Sequence, residues 1–441
     1  MGRGTQLRTP QEIINGSRMS VLQVTAVTMC VMLNALDGFD VLAISFASPG
    51  ISSDWGIERA ALGVVLSMEL IGMAVGSLVI GNLADNLGRR PTILLCLVIM
   101  AAGMYAAATA SDVVELSIYR LATGLGIGGM LAAINAMTAE YSNEKYRALA
   151  VVIMAGGYPF GAIVGGAYAS ELLVSFDWRA VFYFGAIVTA AFIPLVWFLL
   201  PESVHYLAEK QTDNALERIN KILRRMGKEE CGELPSAATE VPSSSVKELF
   251  SEGLRTKTSL LTVAYFAHIM TFYFIIKWIP KLVADMGYHP SEAGGVLVWA
   301  NVGGLTGSIL VGLLSQRFPL RGLVLTALVG SVAMVAYFGT GHDDLTSLAF
   351  FAGAAGFFTN GTIVGMYGLF ALTFPTQVRA GGTGFVIGVG RGGAALGPIV
   401  AGFLFAASYG LGTVSLTMAL GSLIAVIAIF LLKGDQVGGR T

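Results

Sequence analysis

The stretch GNLADNLGRRPT, residues 81–92, lies between two long apolar runs. Its glycines allow a tight turn and a close approach of the flanking helices, and Arg89 and Arg90 suit the surface of a membrane. A related turn, GLLSQRFPLR at 312–321, follows another apolar run 231 positions later (312 minus 81). The motif YRA at 146–148 and the motif VRA at 378–380 repeat with an offset of 232. These offsets indicate two repeated halves.

Composition supports a membrane protein. The 441 residues are 55% hydrophobic and 12% charged, with a mean hydropathy of +0.72, whereas soluble domains average about 25% charged residues. A membrane helix needs about 20 apolar residues. Such runs are found at 20–47, 60–83, 91–110, 114–138, 147–171, 179–200, 258–284, 292–315, 321–340, 345–371, 382–405 and 411–433. We therefore predict an all-α membrane protein with 12 transmembrane helices in two six-helix bundles.

One long polar insert divides the chain into residues 1–200, the insert 201–257, and residues 258–441. The insert contains the amphipathic stretch EKQTDNALERINKILRRMGKEE and a Ser/Pro-rich link. If both termini are cytoplasmic, 21 basic residues lie on the cytoplasmic side and 3 on the other. Basic residues favour the cytoplasmic side, so we predict that both termini and the insert are cytoplasmic.

Six charged residues lie inside predicted membrane helices: Asp37, Asp40, Glu69, Arg120, Lys277 and Arg391. Each would cost roughly 2.5–3.5 kcal/mol at the bilayer centre if unpaired, so they must face a polar cavity or one another. Asp37 and Asp40 are three residues apart and share a helix face. Arg120 is expected at the same depth and is predicted to pair with them. The surplus carboxylate is then a candidate to hold a proton.

The bases Lys277 and Arg391 belong to the second half, where a negative substrate between the bundles would meet them. Tyr273 lies four residues before Lys277 on the same helix face, and a ring beside an ammonium group suits a small aromatic carboxylate. We predict a substrate site of Arg391, Lys277, Tyr273 and Trp278, with Asn301 and Tyr367 as weaker members. Each aromatic residue fits a lipid-facing or core position equally well. Tyr158 and Trp299 are weaker candidates still, and His268 occupies the repeat position of Asp37.

The turn GNLADNLGRR resembles the loop signature of the major facilitator superfamily, and YRLATGLGIGG (119–129) resembles its fourth-helix motif. Together with LDGFD (36–40), PESVHYL (201–207), FPTQVRAGGTGF (374–385) and GVGRGGAALGP (388–398), they resemble the aromatic acid:proton symporter family over nearly the whole chain. The resemblance implies that transport requires Asp37, Asp40, Arg120, Arg379 and Arg391. It also implies a cytoplasmic latch between the bundles, which we assign to Asp85, Arg89, Arg90 and Arg379.

Two residues depart from that family pattern. Glu69 stands where a small apolar residue is expected, so we add it to the candidate proton-coupling group of Asp37, Asp40 and Arg120. His205 stands where an arginine usually follows the PES motif, and we expect little change from it.

We therefore expect a proton-coupled symporter that imports a hydroxybenzoate-like carboxylate by alternating access. It should be a multi-pass monomer of the bacterial inner membrane whose partners are the substrate, protons and lipid. Nucleic acid, cofactors and metals are not expected, and neither is enzymatic activity, because no nucleophile–base pair or metal-ligand spacing occurs. The alternatives are a sugar or other organic-anion porter of the same superfamily and a membrane sensor that binds aromatic acids. Buried bases favour an anion over a sugar.

Overall fold

The computed structural model describes residues 9–212, 214–234, 246–341, 344–375 and 378–432. Within these residues the chain forms a 3₁₀ helix, Val246–Phe250, and fifteen α-helices. The α-helices are α1 (Pro10–Gly16), α2 (Val21–Trp55), α3 (Arg59–Leu87), α4 (Arg89–Thr109), α5 (Val113–Tyr141), α6 (Arg147–Ser175), α7 (Arg179–Leu199), α8 (Val204–Lys210), α9 (Ala215–Arg225), α10 (Arg255–Asp285), α11 (Pro290–Leu314), α12 (Leu320–Phe338), α13 (Leu345–Thr373), α14 (Arg379–Ala406) and α15 (Leu411–Leu431).

Twelve of the described helices, α2 to α7 and α10 to α15, are long and apolar enough to cross a membrane. They correspond one for one to the twelve predicted runs. Helix α2 continues eight residues beyond its predicted end, through Pro49 to Trp55. The proline ring leaves the Ser45 carbonyl without its usual helical donor, and the Ser48 hydroxyl donates to that carbonyl at 2.8 Å. This local bond lets the helix continue to its left-handed cap at Gly56.

The six membrane helices of each half pack in the same scheme. In the first half α2 packs on α6, α3 on α5, and α4 on both α5 and α7. In the second half α10 packs on α14, α11 on α13, and α12 on both α13 and α15. The prediction of two bundles with an internal repeat is confirmed.

Glycines at repeat-related positions, Gly72 and Gly303, lie at two of these close contacts. A Cβ on Gly72 of α3 would lie 3.0 Å from the Cα of Gly124 on α5. A Cβ on Gly303 of α11 would lie 3.0 Å from the Cα of Gly353 on α13. Gly303 follows Gly72 by the same 231 positions. Small residues let helix backbones approach closely, so this spacing is kept in both halves.

The repeated turn has the same anchoring role in each half. Arg90, at the start of α4, donates to the Trp197 carbonyl near the end of α7 at 2.5 Å. Arg321, at the start of α12, donates to the Phe430 carbonyl near the end of α15 at 2.7 Å. Each arginine therefore ties the third membrane helix of its bundle to the sixth.

The two ends of the molecule carry different elements. The insert face is the end that carries Asp85 and the short helices α8 and α9, where α8 packs against α1, α5 and α9. The opposite face is the end that carries Trp55 and Arg59. The surface along which the two halves meet is called the seam.

Candidate functional site

The seam is closed by two helix crossings near the opposite face, α3 on α14 and α6 on α11. A Cβ on Gly63 of α3 would lie 3.1 Å from the Cα of Gly402 on α14. A Cβ on Gly294 of α11 would lie 3.3 Å from the Cβ of Ser170 on α6. Gly63 and Gly294 are 231 residues apart, so the two crossings are related by the internal repeat. A Cβ at Gly63 would meet the backbone of α14, whereas a Cβ at Gly294 would meet side-chain atoms of Ser170 and Phe46.

An ion pair spans the seam at the same end. The Arg59 guanidinium of α3 lies 3.1 Å from the Asp285 carboxylate of α10. Lys281, one turn earlier on α10, also pairs with Asp285. Because both members of the Arg59–Asp285 pair are partly exposed to water, the pair contributes little to stability.

Deeper in the molecule, a fully buried ion pair joins α3 and α5. The Arg120 guanidinium lies 2.5 Å from the Glu69 carboxylate, and neither side chain has exposed surface. The same guanidinium donates to the Asp40 main-chain carbonyl at 2.8 Å and to the Met104 sulfur at 2.8 Å. Its carbon lies 5.4 Å from the centre of the Phe182 ring, a cation–π distance.

The prediction that Arg120 forms its ion pair with Asp37 and Asp40 of α2 is therefore wrong. Arg120 contacts the backbone of Asp40, while its ion pair is made with Glu69. The physical reason lies one turn further along α5, where a Cβ on Gly124 would lie 3.0 Å from the Cα of Glu69. The small-residue contact brings α3 against α5 and places the carboxylate beside the guanidinium.

Lys277 of α10 crosses the seam to the same carboxylate. Its ammonium group lies 3.5 Å from the second oxygen of Glu69 and also donates to the Val41 carbonyl of α2. Lys277 has no exposed surface. Glu69 thus bridges an arginine of its own half and a lysine of the other half.

The two aspartates of α2 complete this buried group. Within the described part of the chain, neither oxygen of Asp37 has a hydrogen-bond partner. One oxygen of Asp40 accepts from the Thr189 hydroxyl of α7 at 3.5 Å, and the other has no partner there. Asp40 interacts electrostatically with Arg120 and Glu69, and Asp37 with Asp40 and Glu69. This group of three acids contains two bases, Arg120 and Lys277, so full ionisation would leave one excess negative charge.

Arg391 of α14 lies half-buried in the seam, closer to the insert face. It donates to the Met73 carbonyl of α3, one turn beyond Glu69, at 2.7 Å. Three tyrosine hydroxyl groups interact electrostatically with its guanidinium, those of Tyr265, Tyr273 and Tyr367. The hydroxyl groups of Tyr265 and Tyr367 are 3.0 Å apart, and Tyr367 retains 41% of its surface exposed.

Tyr158 of α6 adds a ring from the first half, and its hydroxyl lies close to that of Tyr273 across the seam. The term tyrosine chamber is used for Arg391 with Tyr158, Tyr265, Tyr273 and Tyr367. This chamber combines one cation with several rings and hydroxyl groups. Such a lining suits a flat anion that carries hydrogen-bonding substituents.

Besides Lys277, two predicted substrate-site residues lie outside the tyrosine chamber. Trp278 is fully buried, its ring N–H donates to the Pro398 carbonyl at 3.1 Å, and its ring packs against Phe405 at 5.0 Å. It therefore packs α10 against α14. The Asn301 amide donates to the Leu297 carbonyl of its own helix at 2.9 Å. Trp278 is therefore reassigned to helix packing, whereas the role predicted for Asn301 stays a prediction.

His268 is also explained by packing. One ring nitrogen lies 2.9 Å from the Thr359 carbonyl, which only accepts, so that nitrogen carries the proton. The other lies 2.9 Å from the Ser422 hydroxyl and accepts from it. The histidine thus joins α10, α13 and α15 inside the second bundle. Trp299, a weaker candidate, is 58% exposed on the surface of α11.

The predicted latch residues make their described contacts within their own halves. Arg89 pairs with Asp85 at 3.0 Å and with Glu140 at 3.0 Å. The Glu202 carboxylate accepts from the main-chain N–H groups of Arg89 and Arg90 at 3.0 and 3.2 Å. In the second half, Arg379 donates to the Phe374 carbonyl at 3.3 Å. Asp85 itself is 68% exposed at the insert face.

Burial raises the pKa of the Glu202 carboxyl above its ordinary value, although the N–H groups of Ser203, Arg90 and Arg89 act in the opposite direction. Glu202 and Glu140 were not predicted to take part. Glu202 belongs to the PES motif, which could have pointed to it, since a carboxylate at a helix start accepts from free backbone N–H groups. No motif in the sequence could have pointed to Tyr265 or Thr189 in the same way, because a single polar side chain in an apolar helix most often only bridges two helices.

Comparison with known proteins agrees with this architecture. The family model of the Major Facilitator Superfamily matches residues 30–297 and 261–440. The chain is 29% identical to a gallate transporter of Pseudomonas putida, over 94% of this chain and 93% of that one. It is 30% identical to the 4-hydroxybenzoate transporter PcaK of Pseudomonas aeruginosa, over 96% and 95%.

A solved structure with the same fold is a bacterial homologue of the human lysosomal transporter Spinster, in an inward-facing and occupied conformation. The two match with a TM-score of 0.72 at 15% identity, over 97% of this chain and all of the other. At that identity the match supports the fold alone. The family match and the full-length relatives go further: the chain belongs to the major facilitator superfamily, in the family that holds its aromatic acid transporters.

Proposed function

We propose that this protein imports a small aromatic carboxylate of the hydroxybenzoate type together with protons, by alternating access across the bacterial inner membrane. The observation that carries the proposal is the half-buried Arg391 guanidinium, which interacts electrostatically with the hydroxyl groups of Tyr265, Tyr273 and Tyr367. A carboxylate can bind this cation or Lys277 through charge-assisted hydrogen bonds, while the ring of the same molecule packs against the tyrosines. The relatives named above, which carry gallate and 4-hydroxybenzoate, support this class of substrate.

Proton coupling is assigned to the buried group of Asp37, Asp40, Glu69 and Arg120. An unpaired carboxylate buried in a protein is very costly and becomes neutral instead. Asp37, which has no hydrogen-bond partner in the described chain, is the acid that we assign to carry the transported proton. Protonation removes the excess negative charge of the group, so that the loaded carrier can close around it.

We place the insert face and both termini on the cytoplasmic side, on the basis of the 21-to-3 distribution of basic residues. The closed opposite face is then the periplasmic gate, and the conformation described here is inward-facing. Asp85, Arg89, Arg90 and Arg379 then lie at the open end. They latch the halves when that end closes. A cysteine introduced by His205→Cys should react only with reagents that enter the cell; labelling from outside intact cells would contradict this orientation.

The function is tested by uptake of radiolabelled 4-hydroxybenzoate into proteoliposomes whose lumen is more alkaline than the medium. We expect accumulation above the external concentration and its collapse on addition of a membrane-permeant proton carrier. Asp37→Asn and Asp40→Asn should abolish accumulation, while at least one of them retains binding. If both variants still concentrate the substrate, the proton is carried elsewhere, with Glu69 the next residue to test.

The same assay separates the alternatives. Uptake of a sugar but of no aromatic acid would favour a sugar porter. Tight binding of aromatic acids without any uptake would favour a sensor. The sugar porter is disfavoured by two basic residues, the buried Lys277 and the half-buried Arg391, because sugar sites rely on neutral amide groups.

A further inference from the structure

The Lys277 ammonium belongs to the second half of the molecule but binds only acceptors of the first half within the described chain. These are the Glu69 carboxylate and the Val41 carbonyl. In contrast, Arg120 has the same Glu69 carboxylate at 2.5 Å and lies within the same half as it. The Glu69–Arg120 pair can therefore persist when the halves separate, whereas the contacts of Lys277 cannot.

An ammonium group buried without a partner is strongly destabilised. When the seam opens on the side of the opposite face, Lys277 therefore needs another anion. Tyr273, a member of the tyrosine chamber, lies one turn before Lys277 on α10 and shares its helix face. An aromatic acid with its ring beside Tyr273 would bring its carboxylate within reach of Lys277.

We propose that the substrate carboxylate and the Glu69 carboxylate are alternative partners of Lys277. In the empty carrier Glu69 holds the lysine across the seam; in the loaded carrier the substrate takes it, and Glu69 remains with Arg120. Glu69 is thus a positioning residue that competes with the substrate. This inference rests on the proposed function, because it requires an anionic substrate in the chamber.

The proposal predicts that removal of one buried charge raises the affinity for substrate, where a loss would ordinarily be expected. Glu69→Gln removes the competitor, so affinity for 4-hydroxybenzoate should rise by about tenfold, which corresponds to the smaller charge-assisted hydrogen bonds. Lys277→Gln should lower the affinity. The double variant Glu69→Gln with Lys277→Gln should bind no better than Lys277→Gln alone, because the gain depends on the lysine.

Equilibrium binding to the purified, full-length protein at constant pH measures these affinities. The neutral analogue 4-hydroxybenzamide is the matched ligand, and its affinity should not respond to Glu69→Gln. If that variant is too unstable to purify, Glu69→Asp keeps the charge beside Arg120 but shortens its reach, and should give a smaller gain in the same direction.

A loss of affinity in Glu69→Gln or Glu69→Asp, or a gain that survives in the double variant, would overturn the competition. If the unaltered protein binds no aromatic acid, the proposed function fails, and the competition fails with it. If it binds the acid but the Glu69 variants behave like the unaltered protein, only the competition fails.

Discussion

The two bundles share one architecture but differ in where they place charge. At the repeat positions of Asp37, Asp40, Glu69 and Arg120 in the first half, the second half has His268, Thr271, Ala300 and Ala352. Conversely, the second-half cations Lys277 and Arg391 correspond to Phe46 and Pro159 in the first half. The offset is 231 for the pairs on α2 and α3, and 232 for Arg120 with Ala352 and Pro159 with Arg391.

The two bundles thus keep the same packing positions, while their charged residues have diverged. Packing positions such as Gly72 and Gly303 are kept in both halves, because both bundles need the same close helix contacts. Acids gather in one half and two cations in the other. The seam therefore joins opposite charges, and movement of one half against the other must change their partners.

The largest loss of stability is expected when one charge of the buried Glu69–Arg120 pair is removed and the other is kept. Arg120→Met leaves Glu69 buried without its nearest cation, and breaking a buried pair costs about 3–5 kcal/mol. The melting temperature of the purified protein should fall by several degrees. The double variant Arg120→Met with Glu69→Gln removes both charges, as in the second half, and should recover part of the loss. Equal melting temperatures for the single and double variants would contradict the importance of this pair.

The next largest effect is a loss of substrate affinity when Arg391, a cation found only in the second half, is removed. Arg391→Ala should weaken binding of 4-hydroxybenzoate roughly 10- to 150-fold, the equivalent of one charge-assisted hydrogen bond of about 1.5–3 kcal/mol. Equilibrium binding measures it. Arg321→Ala, which removes a guanidinium from the end of the same bundle, is the matched control and should bind normally. Unchanged affinity in Arg391→Ala would remove that residue from the site.

A third test asks whether the two crossings at the opposite face are equivalent. Gly63→Val and Gly294→Val each insert a side chain into a tight contact, at a cost of about 1–3 kcal/mol in the closed state. Both should speed labelling of a cysteine at Ser45→Cys, which is buried in α2, by an impermeant maleimide. Gly295→Val is the control, since a Cβ there has nothing within 4 Å. An effect at only one glycine would show that the crossings differ.

A smaller effect is expected at the insert face. The repeat partner of Asp85 is Gln316, which is uncharged, so Asp85→Asn makes the two turns alike. It should slow uptake several-fold while leaving the affinity for substrate unchanged, because Asp85 lies far from the tyrosine chamber and acts on a conformational equilibrium. Initial rates and binding constants measured side by side test this. Normal uptake kinetics would remove Asp85 from the latch.

The smallest effect is expected at the Arg59–Asp285 pair, although it also joins the two halves. Arg59→Ala should change the free energy of unfolding by less than about 1 kcal/mol, because the pair is partly exposed. The change should shrink further in high salt. Thermal unfolding at low and high salt checks this, with Asp285→Ala as the reciprocal variant. A large loss that is insensitive to salt would place this pair among the principal contacts of the seam.

Much of the fold could be predicted from local rules, whereas the partners in the site could not. Asp37, Asp40, Glu69, Arg120 and Lys277 were all recognisable as costly charges inside apolar helices. That Arg120 pairs with Glu69, and that Lys277 reaches the same carboxylate, depends on contacts between helices far apart in the chain. Glu69 and Lys277 are 208 residues apart.

Trp278 illustrates the same limit. A tryptophan with aromatic neighbours fits a substrate site and a packed core equally well. Only its hydrogen bond to the Pro398 carbonyl of α14 decides between them.

The twelve membrane helices, the two bundles and the internal repeat could be read from the chain alone, because a helix in hydrocarbon satisfies its own backbone hydrogen bonds and needs about 20 apolar residues to cross the membrane. Which charges share a carboxylate, which tyrosines interact with Arg391 and which end of the seam is closed became clear only from the packed helices. Pairing energies depend on distances between side chains of different helices, and those distances exist only once the helices have packed.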